Sequence, residues 1–223
     1  MENVNMFEKL AQGMQNLYIN QNVFNPARFD DPIALQTDWR RASAGGSNFR
    51  TFKLVQVNPY RVEFKTTPGA VFFALVFFVL GLALMFLFSK YANWSSPGAE
   101  TIIPLLIGLI FAVAGGYMLC LQMLPIVFDT REGLFWRKQK PISALSLNDA
   151  TKNCARLEHI HALQIVAEYV TGKNSGYFSF ELNLVLKNGK RINIIDHSIK
   201  QKLDRDAKLL SDFLKIPIWD ATN

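Results

Sequence analysis

GAVFFALVFFVLGLALMFLF, residues 69 to 88, and IIPLLIGLIFAVAGGYMLCLQML, residues 102 to 124, decide the fold of this chain. Neither run carries a charge. At 1.5 Å rise per residue each spans roughly 30–35 Å, the thickness of a bilayer's hydrocarbon core. The pattern predicts a two-helix membrane hairpin spanning 68–124. Small residues recur at four-residue spacing, Ala70 and Ala74 in the first run and Gly108, Ala112 and Gly116 in the second, which permits close helix packing. Pro104 is expected in the first turn of the second helix, where its missing N–H costs little. Gln122 is the only strongly polar side chain in either run, and it lies at one end. Transport normally needs ionisable or several polar groups at mid-depth, so a transport role for this chain alone is not expected.

The flanks orient the hairpin. Arg50, Lys53, Arg61 and Lys65 precede it, Arg131, Arg137, Lys138 and Lys140 follow it, and the loop of residues 89–101 carries only Lys90. Excess Lys and Arg marks the cytoplasmic side, so both termini are expected there, in a multi-pass inner-membrane protein. No secretory signal is read at the N-terminus, and the first span itself is expected to direct insertion. Two cysteines, Cys120 in the second span and Cys154 beyond it, fit a reduced compartment.

Of the 223 residues, 68 precede the first span and 99 follow the second, enough for one small soluble core. The net charge is +6. Beyond the second span 15 Lys/Arg stand against 11 Asp/Glu, interspersed. Bases beside anionic lipid account for this mild excess, and nucleic acid is not expected as a partner. Residues 1–48 read as a weak amphipathic helix, with Met6, Leu10, Met14 and Leu17 at helical spacing, then an irregular stretch anchored by Trp39. Residues 49–67 alternate as two short juxtamembrane strands.

Residues 125–223 form the expected cytoplasmic domain. Ile126–Phe128 and Leu134–Trp136 flank a turn, and a longer strand carries His161, Leu163, Ile165, Ala167 and Tyr169 on one face. FSFELNLVL and RINII flank Lys187-Asn188-Gly189-Lys190, where Asn-Gly predicts a type I′ turn. Ile199, Leu203, Leu210 and Phe213 mark a helix from about Ile199 to Leu214, stopped before Pro217. The order predicts an α+β domain, an antiparallel curved sheet or partial barrel capped by a C-terminal helix.

GGSNFRTFKLV (residues 45–55), the paired spans, FELNLVLKNGKRINIIDH (180–197) and FLKIPIWD (213–220) together resemble uncharacterised proteobacterial inner-membrane proteins. These carry a two-helix hairpin and a bacterial pleckstrin-homology-like domain. The resemblance implies a pleckstrin-homology-like fold and a membrane-anchored adaptor. It brings no catalytic residues, and the strands of residues 49–65 would complete the barrel across the membrane insertion.

Candidate chemistry is sparse. Cys154, His159 and His161 are the only metal-like group, with the two histidines expected on one strand face. Their spacing matches no standard zinc pattern and a fourth ligand is missing, so no metal or cofactor is expected. Gly172–Gly176 lacks the spacing of a phosphate loop. Asp204, Asp206 and Asp212, interleaved with Lys202, Arg205 and Lys208, read as a solvated helix face. With no nucleophile motif, an enzyme is not expected. The sequence points to a non-catalytic interaction module at the cytoplasmic membrane face, with membrane lipid and a protein as partners. Arg137, Lys138 and Lys140 are its candidate lipid-headgroup contacts. The alternative is a subunit or immunity-like protective partner of a larger assembly, acting through the hairpin.

Overall fold

The computed structural model describes residues 24–42, 49–92, 94–96, 98–141, 150–171 and 176–222. The expected helix of residues 5–20, the Gly-Gly breaker and the loop of residues 172–175 lie outside these. The chain divides into two compact units. One comprises Thr51–Lys53 and Phe64–Pro125; the other comprises the segment before Thr51, Leu54–Glu63 and Ile126 onward.

The first unit is the hairpin. Thr67 caps α2 (Pro68–Tyr91), with its hydroxyl 3.4 Å from the Ala70 N–H and Pro68 at the first helical position. After the loop comes α3 (Ala99–Gln122). Each helix has 24 residues, about 36 Å of helix. Their contact is made of small residues. A Cβ on Gly81 would overlap the backbones of Gly108 and Ala112, and one on Gly115 would overlap that of Phe78. The expected four-residue stripe is therefore shifted in the second helix: Gly115 is buried in the contact, whereas Gly116 looks onto the Phe78 ring. Pro104 is also displaced from expectation. With Gly98 as N-cap and Glu100 in the first turn, α3 starts three residues before Ile102, which puts Pro104 inside the helix. At the other end of the hairpin Thr66 donates its hydroxyl to the Gln122 carbonyl at 2.6 Å, and the Thr67 N–H reaches the Thr51 carbonyl at 2.8 Å.

The chain outside the helices forms two sheets, sheet 2 and most of sheet 1 lying in the second unit. Sheet 1 has the order β1-β2-β3-β4-β5, from Phe52–Asn58, Arg61–Thr66, Ile126–Asp129, Leu134–Arg137 and Cys154–Arg156. The strands on either side of the hairpin are thus neighbours in one sheet. Sheet 2 has the order β8-β7-β6-β9, from Arg191–His197, Gly176–Leu186, Ile160–Thr171 and Ile218–Asp220. The sheets do not close into a barrel, so the single curved sheet expected from the element order is instead two separate ones.

Sheet 2 is covered on both sides. Leu163, Ile165, Leu182 and Leu184 form one fully buried face, and α4 (Lys200–Leu214) packs on this sheet through Leu203, Ala207 and Leu210. Lys215, at φ 58°, turns the chain out of α4 into β9, which pairs parallel with β6. The other face meets residues 24–42: a 3-10 turn (Pro26–Phe29), the short helix α1 (Pro32–Gln36) and an irregular tail. Asn25 and Asp31 cap the turn and the helix, each ahead of a proline.

Two local expectations change. Asn188 does not have positive φ, and only Gly189, at φ 75°, is left-handed. The Gly189 N–H bonds to the Leu186 carbonyl and the Asn188 side chain accepts the Lys190 N–H at 3.1 Å. This is a turn over Lys187-Asn188 followed by a left-handed glycine, not a two-residue type I′ turn. His161 is the second case. The pairing of β6 with β7 slips between Ile160 and Ala162, so His161 falls in a bulge and leaves the face of Leu163.

Gly81→Leu is expected to lower the thermal stability of the detergent-purified protein, by roughly 1–3 kcal/mol from backbone overpacking. Gly69→Ala, with open space around it, is expected to melt like the parent. Gly189→Val is expected to destabilise the second unit while Gly189→Asn retains most of its stability, because Asn tolerates the left-handed region. Thermal melts of the four variants check both.

Candidate functional site

The polar face of sheet 2 is where chemistry-bearing residues gather. Alternation along FELNL and its neighbours places Gln164 and Glu168 of β6, Ser179, Glu181 and Asn183 of β7, and Asn193 of β8 on one side, in cross-strand register. In a half-solvated sheet such residues face water. Here Gln164, Ser179, Glu181 and Asn183 are all at most 1% exposed. A layer above them makes the difference.

That layer includes the tail Thr37–Ala42. Gln164 Nε2 donates to the Asp38 carbonyl at 3.0 Å, Arg191 Nη1 to the Arg40 carbonyl at 2.5 Å, and the Ala42 N–H to Glu181 Oε2 at 2.8 Å. Beneath these contacts the side chains bond one another. Asn183 Nδ2 reaches Glu181 Oε2 at 3.2 Å and Gln164 Oε1 at 3.4 Å, and Arg191 Nη1 also donates to Gln164 Oε1 at 3.1 Å. Arg41 pairs with Glu168, and Arg191 lies 3.6 Å from the Asp38 carboxylate. Asn183 Oδ1 is buried without a hydrogen-bond partner. Hydrogen bonds from Arg40, side chain and backbone, hold the Asp38 carboxyl down at about 2.

Along the same surface the segment is anchored by rings. Trp39 stacks on Phe29 at 5.4 Å and lies 6.1 Å from Trp219 of β9, and its indole N–H donates to the Ala34 carbonyl at 2.8 Å. Ala34, Ala162, Val185 and Trp219 form the buried cluster below. The bulged His161 meets Asp31 at 2.6 Å, and Thr37 donates its hydroxyl to the Gly189 carbonyl at 2.9 Å.

The three headgroup candidates differ in what they contact. Arg137, at the end of β4, donates Nη2 to the Asn193 carbonyl at 2.9 Å and to the Ile194 carbonyl, so its guanidinium is committed to the backbone of β8. Lys138 is exposed at φ 72°. Lys140 is exposed, pairs with Glu132 at 2.8 Å and lies over the Trp136 ring. The metal-like trio is also dispersed, with Cys154 on β5, His159 in the 3-10 turn of Leu157–His159 and His161 in the β6 bulge. Among the described residues no group of three His, Cys, Asp or Glu is arranged to hold a metal ion. Asp206 departs from the expected solvated face: it is buried and pairs with Arg50 at 2.6 Å.

Gln164, Glu168, Glu181, Asn183 and Arg191 escape sequence reasoning as a site, because polar residues alternating along a strand read as the solvent side. The one available sign is the density of amide and carboxylate side chains in FELN and RINIID, since Asn, Asp and Glu are disfavoured in strands.

Two neighbouring titrating groups of β8, Asp196 opposite Glu181 and His197 opposite Phe180, have opposite shifts. Burial pushes Asp196 up to about 6 despite the Asn193 amide at 2.8 Å. Burial, with Arg50 and Lys202 nearby, pushes His197 down to about 4, and its Nδ1 accepts the Ile199 N–H at 2.8 Å. A raised carboxyl costs stability as pH rises through the interval from 3.8 to about 6; a depressed histidine costs stability as pH falls from 6.5 to about 4. The two largely cancel between these limits. Asp196→Asn is therefore expected to make the protein lose stability on acidification from pH 6 to 4 more steeply than the parent. His197→Gln is expected to make it gain stability relative to the parent over the same interval. Melting temperatures across pH 4 to 7 measure both slopes.

Compared with known proteins, the chain matches no family model, and no curated protein is significantly similar to it.

Proposed function

We propose that this protein is a membrane-anchored, non-catalytic interaction module whose strand-rich unit works at the cytoplasmic face of a bacterial inner membrane. One observation carries the reading: two apolar helices interrupt a sheet between neighbouring strands, leaving β2 through one residue and re-entering β3 through three. Outward side chains such as Phe72, at 68% exposure, and Ile110, at 64%, cover both helices with apolar surface of the kind a bilayer accepts. A unit joined in this way to membrane-length helices serves a partner brought to the same surface. Tethering raises effective concentration, and modest intrinsic affinity then suffices.

In this reading both termini are cytoplasmic, because the bases cluster on that side of the hairpin. Lys138 and Lys140 are the headgroup-facing bases, while Arg137 holds β8. The pleckstrin-homology-like assignment belongs to the same reading, supported by a strand-rich unit that ends in a helix. A second reading, a subunit or protective partner acting through the hairpin, draws on the same outward apolar faces. The apolar groove of Met85, Phe86, Trp94, Leu105, Leu106 and Leu109 at the loop end adds to that surface.

In a variant with Cys120 and Cys154 replaced by Ala, a cysteine at Ser95 is expected to react with an impermeant thiol reagent in intact cells, and one at Lys138 is not. The reverse pattern would refute the orientation. Photo-crosslinking residues in the full chain then separate the two readings. Protein adducts from positions 138 and 187 support the interaction module, and adducts confined to positions 72 and 110 support action through the hairpin.

A further inference from the structure

The contact between residues 38–42 and sheet 2 has the composition of a peptide in a binding site. Every group on the sheet side is set on a strand: Gln164 and Glu168 on β6, Glu181 on β7, Arg191 on β8. Gln164, Glu181 and Arg191 are tied to one another or to Asn183 by hydrogen bonds that do not involve the tail. The network therefore holds its shape from the sheet alone, as a pre-organised site must. Its free ends contact main-chain atoms at residues 38, 40 and 42, the carbonyls of the first two and the N–H of the third. Main-chain contacts accept other sequences in the same conformation.

Selectivity comes from two further contacts. Trp39 packs beside Trp219 of the sheet, and Arg41 meets the Glu168 carboxylate. On the ligand side the charged contacts are peripheral. The side chains of Arg41 and Asp38 are 47% and 45% exposed, and no strand pairing joins the tail to the sheet. Exposed pairs of this kind contribute little each, typically below about 1 kcal/mol. In sequence, Ser43-Ala44-Gly45-Gly46-Ser47-Asn48 joins the tail to the strands of sheet 1, a Gly/Ser linker composition.

We infer that the polar face of sheet 2 is a peptide-binding site for a segment with a tryptophan followed two residues later by arginine, and that Trp39-Arg40-Arg41 is its resident intramolecular occupant. A protein partner bearing the same aromatic-x-arginine pattern takes the site by displacing residues 38–42. The inference rests on the interaction-module reading and names the chemistry of the partner. Displacement has to overcome the effective concentration of a tethered competitor, of millimolar order for a short linker. The resident segment therefore acts as a threshold that weak, untethered peptides do not pass.

The test uses the full-length protein in detergent and a fluorescent synthetic peptide of residues 24–42. Trp39→Ala combined with Arg41→Ala weakens the resident segment and is expected to bind the peptide saturably, at least tenfold more tightly than the parent does. Adding Glu168→Lys to that variant, or substituting alanine for the tryptophan in the peptide, is expected to abolish the gain. Should the double variant lose its parental circular dichroism, Arg41→Ala alone decides, again by tighter peptide binding than the parent. Equal binding to parent and folded variant, or binding indifferent to Glu168→Lys and to the peptide's tryptophan, would overturn the inference. Peptide binding of the expected kind without any crosslinked partner in cells would leave the site standing and remove the interaction-module reading instead.

Discussion

Backbone contact between two membrane-length helices is the constraint on which the rest depends. The chain leaves sheet 1 at the end of β2 and re-enters it at β3, the adjacent strand. Fifty-nine residues, from Thr67 to Pro125, must therefore depart and return to neighbouring positions. Gly81 against Gly108 and Ala112, and Gly115 against Ala74 and Phe78, let the helix axes approach until main-chain atoms touch. In an apolar solvent there is no hydrophobic drive to bring helices together, and close packing supplies the attraction instead. Bulk at these positions would separate the helices and strain the return into β3.

The second unit is organised by a different economy. Sheet 2 buries aliphatic residues on the side of α4 and amides and carboxylates on the side of residues 24–42. A buried carboxylate such as Glu181 is tolerated because its Oε2 accepts from both the Ala42 N–H and the Asn183 amide. Networks of this kind add rigidity and specificity more than net stability, since desolvation offsets much of their attraction. That balance suits a face that recognises a chain and can exchange it. Arg137 and Asp206 do comparable work elsewhere, the first joining β4 to the carbonyls of β8, the second joining α4 to Arg50. Both were legible only as surface charge.

Several local signals were right in kind and wrong in detail for identifiable reasons. Asn188-Gly189 marks a turn, but the asparagine side chain bonds forward to Lys190 and only the glycine adopts positive φ. Alternation along β6 is sound from Ala162 onward, and one bulge moves His161 to the opposite face. Pro104 lies inside α3 because Gly98 and Glu100, polar enough to sit outside the apolar run, already begin the helix.

By itself the sequence determined the elements whose cause is local. The two long apolar helices follow from uninterrupted apolar length, the strands from period-two alternation, α4 from its apolar stripe and the stop before Pro217. Only the tertiary structure decided which polar residues are buried and which strands are neighbours. That β1 and β2 share a sheet with β3 across the hairpin depends on pairing between residues more than sixty positions apart. That Gln164, Glu181 and Asn183 form an interior face depends on a covering segment from the other end of the chain. Alternation specifies two faces of a strand, and it carries no information about what lies above either one, because that contact is made by residues distant in sequence.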